Sequence, residues 1–153
     1  MSLVIPCYNE QEVLPELRRR LKDLVSQYSF PIEVILVDDG SKDNTWPLIH
    51  QYSQEDGYIK AIRLARNFGH QTAITCGLDQ TRGEVVVILD ADLQDPPELI
   101  PEMLKEWSDG YDVVYGMRCN LSVSITVSCA AWCHGSAIIK KPCSMIDQSG
   151  LRA

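Results

Sequence analysis

Apolar runs alternate with segments of helical periodicity along most of the chain. The runs are typical of strands buried in a sheet, and the segments between them place apolar side chains on one helical face. The predicted strands cover residues 2–5, 32–37, 58–64, 85–89 and 112–115, and the predicted helices lie at about 14–25, 45–53, 73–78 and 97–107. Because strands joined by helical segments need crossover connections, this order predicts an α/β fold with a doubly wound, mainly parallel sheet.

The fourth apolar run, residues 85–89, ends in closely spaced carboxylates. Asp90 and Asp92 stand two residues apart, which on an extended backbone turns both side chains to the same side. Such a pair suits a hard divalent cation, Mg²⁺ or Mn²⁺, and a diphosphate can share that cation. The alternative is that both are solvated turn acids, with Asp95 and Glu98 capping the next helix.

Polar residues also follow the first two predicted strands. Tyr8, Asn9 and Glu10 come after the first strand, and Asp38 and Asp39 come after the second. Ligands of parallel sheets bind outside the carboxyl ends of the strands, so we expect one crevice to collect most of the chemistry. Within it, Asp38 is expected to orient its own loop rather than to contact a ligand.

Composition narrows the choice of partners. The chain has 153 residues, of which 45% are hydrophobic and 23% charged, as in a single soluble domain. Its net charge of −7 argues against a nucleic-acid partner, which needs a basic face. No apolar run reaches the roughly 18 residues of a membrane span, and the N-terminus lacks the basic flank of a signal peptide. We therefore expect a cytoplasmic, reducing location.

The character of the sequence changes after Arg118. Residues 119–153 show no clear alternation of strands and helices, and they hold four of the six cysteines: Cys119, Cys129, Cys133 and Cys143. We predict a domain over residues 1–118 and an atypical, cysteine-rich extension over residues 119–153 that is either poorly ordered or the product of a shifted reading frame. Residues 122–128 form a plausible strand with no evident partner, and a zinc site at the cysteines is the weaker alternative.

Four motifs in order carry a family resemblance. They are Val4-Ile-Pro-Cys-Tyr-Asn-Glu10, Leu36-Val-Asp-Asp-Gly-Ser41, Arg66-Asn-Phe-Gly-His70 and Leu89-Asp-Ala-Asp-Leu-Gln-Asp-Pro-Pro-Glu98. Together they resemble the family 2 inverting glycosyltransferases, and within them the polyprenyl-phosphate glycosyltransferases of the dolichol-phosphate mannose synthase and bactoprenol glucosyltransferase kind. The resemblance covers residues 1–118 and implies the nucleotide-sugar half of a GT-A fold.

The resemblance implies a binding site for a nucleoside-diphosphate sugar. Around the nucleotide it places five residues: Pro6, Tyr8, Glu10, Val37 and Asp39. In that arrangement Asp39 accepts a hydrogen bond from the base, whereas Tyr8 either stacks on the base or only packs at the strand end. His70 is expected to shape the pocket rather than to act as an acid or base. Cys7 is expected to be a small residue of the core or the crevice wall.

The same resemblance implies a D-x-D site for Mg²⁺ or Mn²⁺ and the diphosphate. It consists of Asp90, Ala91 and Asp92, with Gln94 as a further metal ligand and Arg118 near the donor phosphates. Asp90, Asp92 and Arg118 are the implied catalytic residues. Charge builds on the departing nucleoside diphosphate during inverting transfer, and the metal neutralises it. The implied acceptor, a polyprenyl phosphate at the cytoplasmic face of a membrane, is already anionic and needs no strong base.

Residues 119–153 depart from the family pattern. The expected acceptor-binding region and membrane helices have no counterpart there, so we expect hexosyl transfer by residues 1–153 to be weak or absent. Two alternatives are a nucleotide-sugar-binding fragment without catalysis and a phospho-receiver signalling domain, although the lysine that a receiver needs has no match at Gly116-Met117-Arg118. The sequence leaves the sugar, the base and the oligomeric state open.

Overall fold

The computed structural model describes residues 1–119, 122–127 and 137–140. Seven strands lie in this part of the chain: β1 (Ser2–Cys7), β2 (Glu33–Asp38), β3 (Ile59–Arg63), β4 (Val85–Ile88), β5 (Val113–Cys119), β6 (Ser122–Val127) and β7 (Ala137–Lys140). The helices are α1 (Leu14–Ser26), α2 (Thr45–Glu55), α3 (His70–Asp79) and α4 (Ile100–Ser108), with a short 3₁₀ helix at Pro97–Leu99. None of the helices in the described residues is long and apolar enough to cross a membrane.

The seven described strands form one sheet in the order β3-β2-β1-β4-β7-β5-β6. Strands β1 to β4 pair in parallel, whereas β7 pairs antiparallel with both β4 and β5. The four parallel strands with flanking helices confirm the α/β class predicted from the sequence. Parallel pairing also gathers the carboxyl ends of β1 to β4 at one edge of the sheet.

The parallel strands are buried on both faces. Alternate side chains of β1 point to opposite sides, so Leu3 and Ile5 pack with the leucines of α1, whereas Val4 packs with Ala73 of α3. Four leucines of α1 recur at helical spacing and are buried against the sheet: Leu14, Leu17, Leu21 and Leu24. Each such side chain contributes roughly 1.5–3 kcal/mol through removal of apolar surface from water.

The antiparallel strands correct one prediction and extend another. Residues 122–128 were expected to form a strand without a partner, but β6 pairs along its whole length with β5. Only two residues separate the two strands, which is hairpin spacing. Strand β5 also continues to Cys119 rather than ending at Tyr115, since it has β7 on one side and β6 on the other. The rest of the predicted extension lies outside the described residues, and the proposed domain boundary at residue 118 stays a prediction.

A half-buried carboxylate joins the strands at the opposite edge of the sheet, where β1, β2 and β4 begin. Glu33 Oε1 accepts hydrogen bonds from Ser2 Oγ and from the Arg82 backbone N–H, each at 2.6 Å. Its Oε2 forms an ion pair with Lys60 Nζ of β3. Burial by itself would raise the pKa of Glu33, but the hydrogen bonds from Lys60, Ser2 and Arg82 outweigh it and lower this pKa to about 2.

We expect Glu33→Gln to destabilise the fold by about 2 kcal/mol at pH 7, because three donors lose a charged acceptor. The folded pKa of Glu33 is depressed, so its contribution is present above its ordinary value near 4.5 and is lost as the pH falls towards 2. Urea denaturation at pH 7, 4 and 2.5 measures this, and the gap between the two proteins should narrow with acidification. Glu102→Gln, at an exposed position of α4, is the control. A gap that is constant with pH would contradict the assignment.

Candidate functional site

A cleft of about 730 Å³ opens at the carboxyl ends of β1, β2 and β4. Seven of the ten residues predicted from the sequence line it: Pro6, Tyr8, Glu10, Asp39, Asp90, Ala91 and Asp92. They come from three separate strand ends, which the parallel sheet places side by side. The structure thus brings the predicted acidic residues and Tyr8 to a single cavity.

Hydrogen bonds tie the loop after β1 to the loop after β2. The Asn9 backbone N–H donates to Ser41 Oγ at 2.9 Å, and the Glu10 backbone N–H donates to Thr45 Oγ1 at 2.7 Å. Asn9 has a φ of 57°, a left-handed conformation that asparagine adopts more readily than most residues. These contacts fix the backbone from which Tyr8 and Glu10 extend into the cleft.

The two acids at the end of β2, Asp38 and Asp39, have different surroundings. Asp38 is fully buried, accepts the Ser41 backbone N–H at 3.1 Å and lies 3.5 Å from Arg63 Nε. It orients the loop, as predicted, and does not line the cleft. Asp39 does line the cleft, although only 3% of its surface is exposed.

Asp39 holds the segment between β3 and α3, residues 64–69, which we call the cleft loop. The backbone N–H of Phe68 donates to Asp39 Oδ1 at 2.8 Å, and that of Gly69 donates to Oδ2 at 2.9 Å. The neighbouring Gly40 has a φ of +68°, and a Cβ there would collide with the backbone of Arg66. The cleft loop can therefore lie directly on the end of β2.

The D-x-D segment turns sharply after the end of β4. Leu93 has a φ of 59°, which is uncommon for a bulky residue, and its side chain packs against the main core. The Gln94 backbone N–H donates to Asp92 Oδ1 at 3.0 Å and closes the turn. On the other side, His70 at the start of α3 places Nε2 3.5 Å from Asp90 Oδ1. His70 also lines the cleft, as its predicted shaping role requires.

The electrostatics of the cleft favour a cation. The pKa of Glu10 is raised, first by burial and then by the negative charges of Asp92, Asp43 and Asp90. No group of three or more His, Cys, Asp or Glu in the described residues is arranged as a complete metal cage. Mg²⁺ and Mn²⁺ are commonly held by one or two carboxylates together with phosphate oxygens and water, so the residues present fit such an ion.

Cys7 lies in the wall of the cleft and is unsuited to nucleophilic chemistry. Burial raises the pKa of its thiol well above the usual range, and the charges of Glu10 and Asp38 raise this pKa further. The thiol therefore stays protonated at neutral pH. This agrees with its predicted place as a small residue of the crevice wall.

Two predicted site residues, Val37 and Gln94, do not line the cleft, and the predicted role of a third, Arg118, is not tested. The side chain of Val37 is buried with Ala73 beneath α3 rather than in the cleft. Gln94 is exposed and is not among the lining residues, and its backbone N–H donates to Asp92 Oδ1. Arg118 lies on β5 beside Val123, and its side chain is outside the described part of the structure.

The cleft also contains residues for which no role was predicted. They are Asn67, Phe68, Gly69 and Gln71, from the cleft loop and the start of α3. The motif at residues 66–70 contributed to the family resemblance, but nothing in it indicated that its backbone would bind Asp39. The available signal that this segment lines a cleft was the pair Phe68-Gly69, an apolar residue next to a glycine in the loop after a strand.

The fold and the cleft define an α/β protein with an acidic ligand site at the carboxyl edge of a parallel sheet. The family model described as "Glycosyl transferase family 2" matches residues 2–124. The chain therefore belongs to glycosyl transferase family 2, which confirms the resemblance drawn from the four motifs.

Two relatives show how far the similarity extends. The chain is 50% identical over 121 residues to an undecaprenyl-phosphate 4-deoxy-4-formamido-L-arabinose transferase of Pseudomonas fluorescens, covering 78% of this chain and 36% of that protein. It is 48% identical over 117 residues to the uncharacterized glycosyltransferase YkcC of Bacillus subtilis, covering 76% and 36%. The chain thus spans just over a third of the length of these relatives.

Solved structures confirm the GT-A fold. S. aureus TarS 1–349 has a TM-score of 0.53 and 28% identity, over 73% of this chain and 33% of that one. The mannosyltransferase PcManGT of Pyrobaculum calidifontis, solved with GDP-Man and Mn²⁺, has a TM-score of 0.59 and 24% identity, over 74% and 33%. The second similarity bears on the fold alone.

We expect Glu10→Gln to raise the melting temperature by about 2 °C at pH 7 in the presence of a chelator. This corresponds to an increase of roughly 0.5 kcal/mol in the free energy of unfolding. The folded pKa of Glu10 is raised, so its charge disfavours the folded state above that pKa, and acidification relieves the penalty. Thermal denaturation at pH 7 and pH 4 measures the effect, which should shrink at the lower pH. Glu12→Gln, exposed in the same loop, is the control. A lower melting temperature for Glu10→Gln at pH 7 would contradict the proposed repulsion.

Proposed function

We propose that residues 1–118 form the donor site of an inverting glycosyltransferase that moves a sugar from a nucleoside diphosphate to a polyprenyl phosphate. The observation that carries this proposal is the meeting of Asp90 and Asp92 with Asp39 and Tyr8 in one cleft. The two acids that would hold a metal and a diphosphate thus lie in the same cleft as a carboxylate and an aromatic ring that suit a nucleobase. Membership of glycosyl transferase family 2 supports the reaction class and leaves the phospho-receiver alternative without support.

Each residue of the cleft has a separate task in this proposal. Asp90 and Asp92 hold the cation and orient the diphosphate, and Asp39 accepts an N–H of the base. Bound there, Mg²⁺ or Mn²⁺ would supply the positive charge that stabilises the departing nucleoside diphosphate. The carboxylates, at the turn that Leu93 closes and beside His70, keep the leaving group in line with the acceptor. Gln94 and Arg118 remain proposed contacts of the metal and the phosphates.

The acceptor proposal draws on the relatives. The name of the Pseudomonas fluorescens protein includes undecaprenyl phosphate, a polyprenyl phosphate, and an arabinose derivative as the sugar. A phosphate acceptor is already a nucleophile at neutral pH and needs no nucleophilic side chain from the protein. This suits the cleft, because Cys7, the one described cysteine that lines it, stays protonated. Such a lipid places the reaction at a membrane surface, at the cytoplasmic face in our proposal. Since arabinose is a pentose, the transferred unit need not be a hexose.

Calorimetric titration of residues 1–153 with uridine and guanosine diphosphate sugars tests the donor site. We expect one of the two classes to bind in the presence of Mn²⁺ and to bind at least about tenfold more weakly in a chelator, because the carboxylates would then repel the diphosphate. Asp92→Asn should lose at least about tenfold in affinity with Mn²⁺ present.

Glu98→Gln is the matched control for that titration, because Glu98 belongs to the same acidic stretch but lies outside the cleft. It should bind the sugar nucleotide as the unaltered chain does. Unchanged binding by Asp92→Asn would contradict the metal assignment. If neither the uridine nor the guanosine diphosphate sugars bind to the unaltered chain, the donor site itself is contradicted.

A further inference from the structure

A second cavity lies at the edge of the sheet opposite the cleft, where β1, β2 and β4 begin. It has a volume of about 880 Å³ and lies between the segment that follows α1 and one side of α4. Strand β1 separates the two edges by about 17 Å, at roughly 3.3 Å per residue. None of the described residues lines both the cleft and this second cavity, which we call the amino-edge cavity.

The walls of the amino-edge cavity are mainly apolar and rich in aromatic rings. The rings of Tyr28 and Phe30 are in contact, with centres 4.9 Å apart. Phe30 is 44% exposed, so its ring can gain further burial from a bound molecule. Cavities of roughly 300–1,000 Å³ with such walls and a few polar groups are typical of sites for small organic ligands. The larger apolar and aromatic side chains of the wall are Tyr28, Phe30, Ile32, Val85, Leu104 and Trp107.

The half-buried acid of the wall, Glu33, has its charge already balanced. Lys60 forms an ion pair with it, and both Ser2 Oγ and the backbone N–H of Arg82 donate to it. A carboxylate with these three donors in place needs no cation from a ligand. Glu33 therefore does not select a positively charged molecule.

Two cations without a partner stand at the margin of the amino-edge cavity. Arg82 and Lys105 both line it and are both exposed, and neither forms an ion pair within the described part of the chain. Long basic side chains commonly lay their aliphatic stems along an apolar surface and keep the charged head in water. Glu84 is the one exposed acid among the lining residues, so the unpaired cations outnumber it. In a chain of net charge −7, this margin is locally positive and attracts an anion.

We propose that the amino-edge cavity binds an amphiphilic organic anion, with its apolar body among Tyr28, Phe30 and Trp107 and its acidic head beside Arg82 and Lys105. The body contributes affinity through removal of apolar surface from water. The head stays hydrated at the margin, so no charge has to be buried. Fatty acids and aromatic carboxylic acids share this chemistry. The site is independent of the proposed donor site, and either assignment can fail without the other.

Fluorescence titration of residues 1–153 with anilinonaphthalene sulfonate tests the apolar body. Phenylnaphthylamine has the same rings without the sulfonate and is the neutral comparison. We expect Phe30→Ala to weaken the binding of both probes about fivefold, because part of the apolar wall is lost. Tyr111→Ala removes a similarly exposed ring that lies outside the cavity, and it should change neither affinity.

Substitution of the two cations tests the acidic head. Arg82→Gln, which retains the backbone N–H bound to Glu33, and Lys105→Gln should each weaken the sulfonate probe about threefold. Both variants should bind the neutral probe within about twofold of the unaltered chain. Lys22→Gln, at an exposed position of α1 outside the cavity, is the control. All the substituted side chains are exposed, so the variants should fold, and their melting temperatures check this.

Competition identifies the kind of acid and locates the site. Displacement of the sulfonate probe by dodecanoate points to an acyl chain, and displacement by naphthoate points to an aromatic acid. If neither acid displaces the probe, the proposed ligand class is wrong. Unchanged probe binding by Phe30→Ala, or equal losses of both probes in the cation variants, would overturn the proposal. Displacement of the probe by a sugar nucleotide with Mn²⁺ would move its site to the donor cleft and would overturn the proposal as well.

Discussion

The burial of the parallel strands on both faces is the constraint on which the rest of the structure depends. Every side chain of β1 and of β4 is buried. A charged group in the middle of such a strand would lose its hydration without gaining a partner, so polar side chains are confined to the strand ends. Because the strands are parallel, their carboxyl ends share one edge. The acidic cleft follows from this arrangement, and the same logic places the Glu33 cluster at the other edge.

Much of the fold and part of the site could be predicted because both follow from local patterns. Runs of apolar residues identify strands, and the acids that follow them, Asp39 and Asp90 among these, must lie at the sheet edge. Side-chain direction within a strand end is harder to assign. Val37 precedes the loop by a single residue, yet strand alternation turns it beneath α3 with Ala73. The family resemblance placed Val37 near the nucleotide and Gln94 near the metal. In neither case did it distinguish a contact of the backbone from a contact of the side chain.

Contacts between distant residues were beyond prediction. The bonds from Phe68 and Gly69 to Asp39 cross 29 and 30 residues, and the bond from Arg82 to Glu33 crosses 49. A local pattern carries no information on which backbone N–H will meet a given carboxylate, because that choice depends on how whole loops pack. The partner of β6 was missed for a different reason. Residues 120–121 are Asn-Leu and lack the Asn-Gly or Gly-containing pair that identifies a hairpin turn in a sequence.

The turn at Leu93 links the cleft to the core in a mechanical sense. A left-handed backbone at a leucine persists only because neighbouring contacts impose it, and here the side chain packs against the main hydrophobic cluster. The direction of Asp92, one residue earlier, is therefore set partly by the volume of buried side chains that no ligand touches. Substitutions in that part of the core would therefore change the affinity for the cation that we propose at Asp92. In our proposal, sequence drift in the interior would in this way tune the metal affinity of the donor site while every residue of the cleft stays the same.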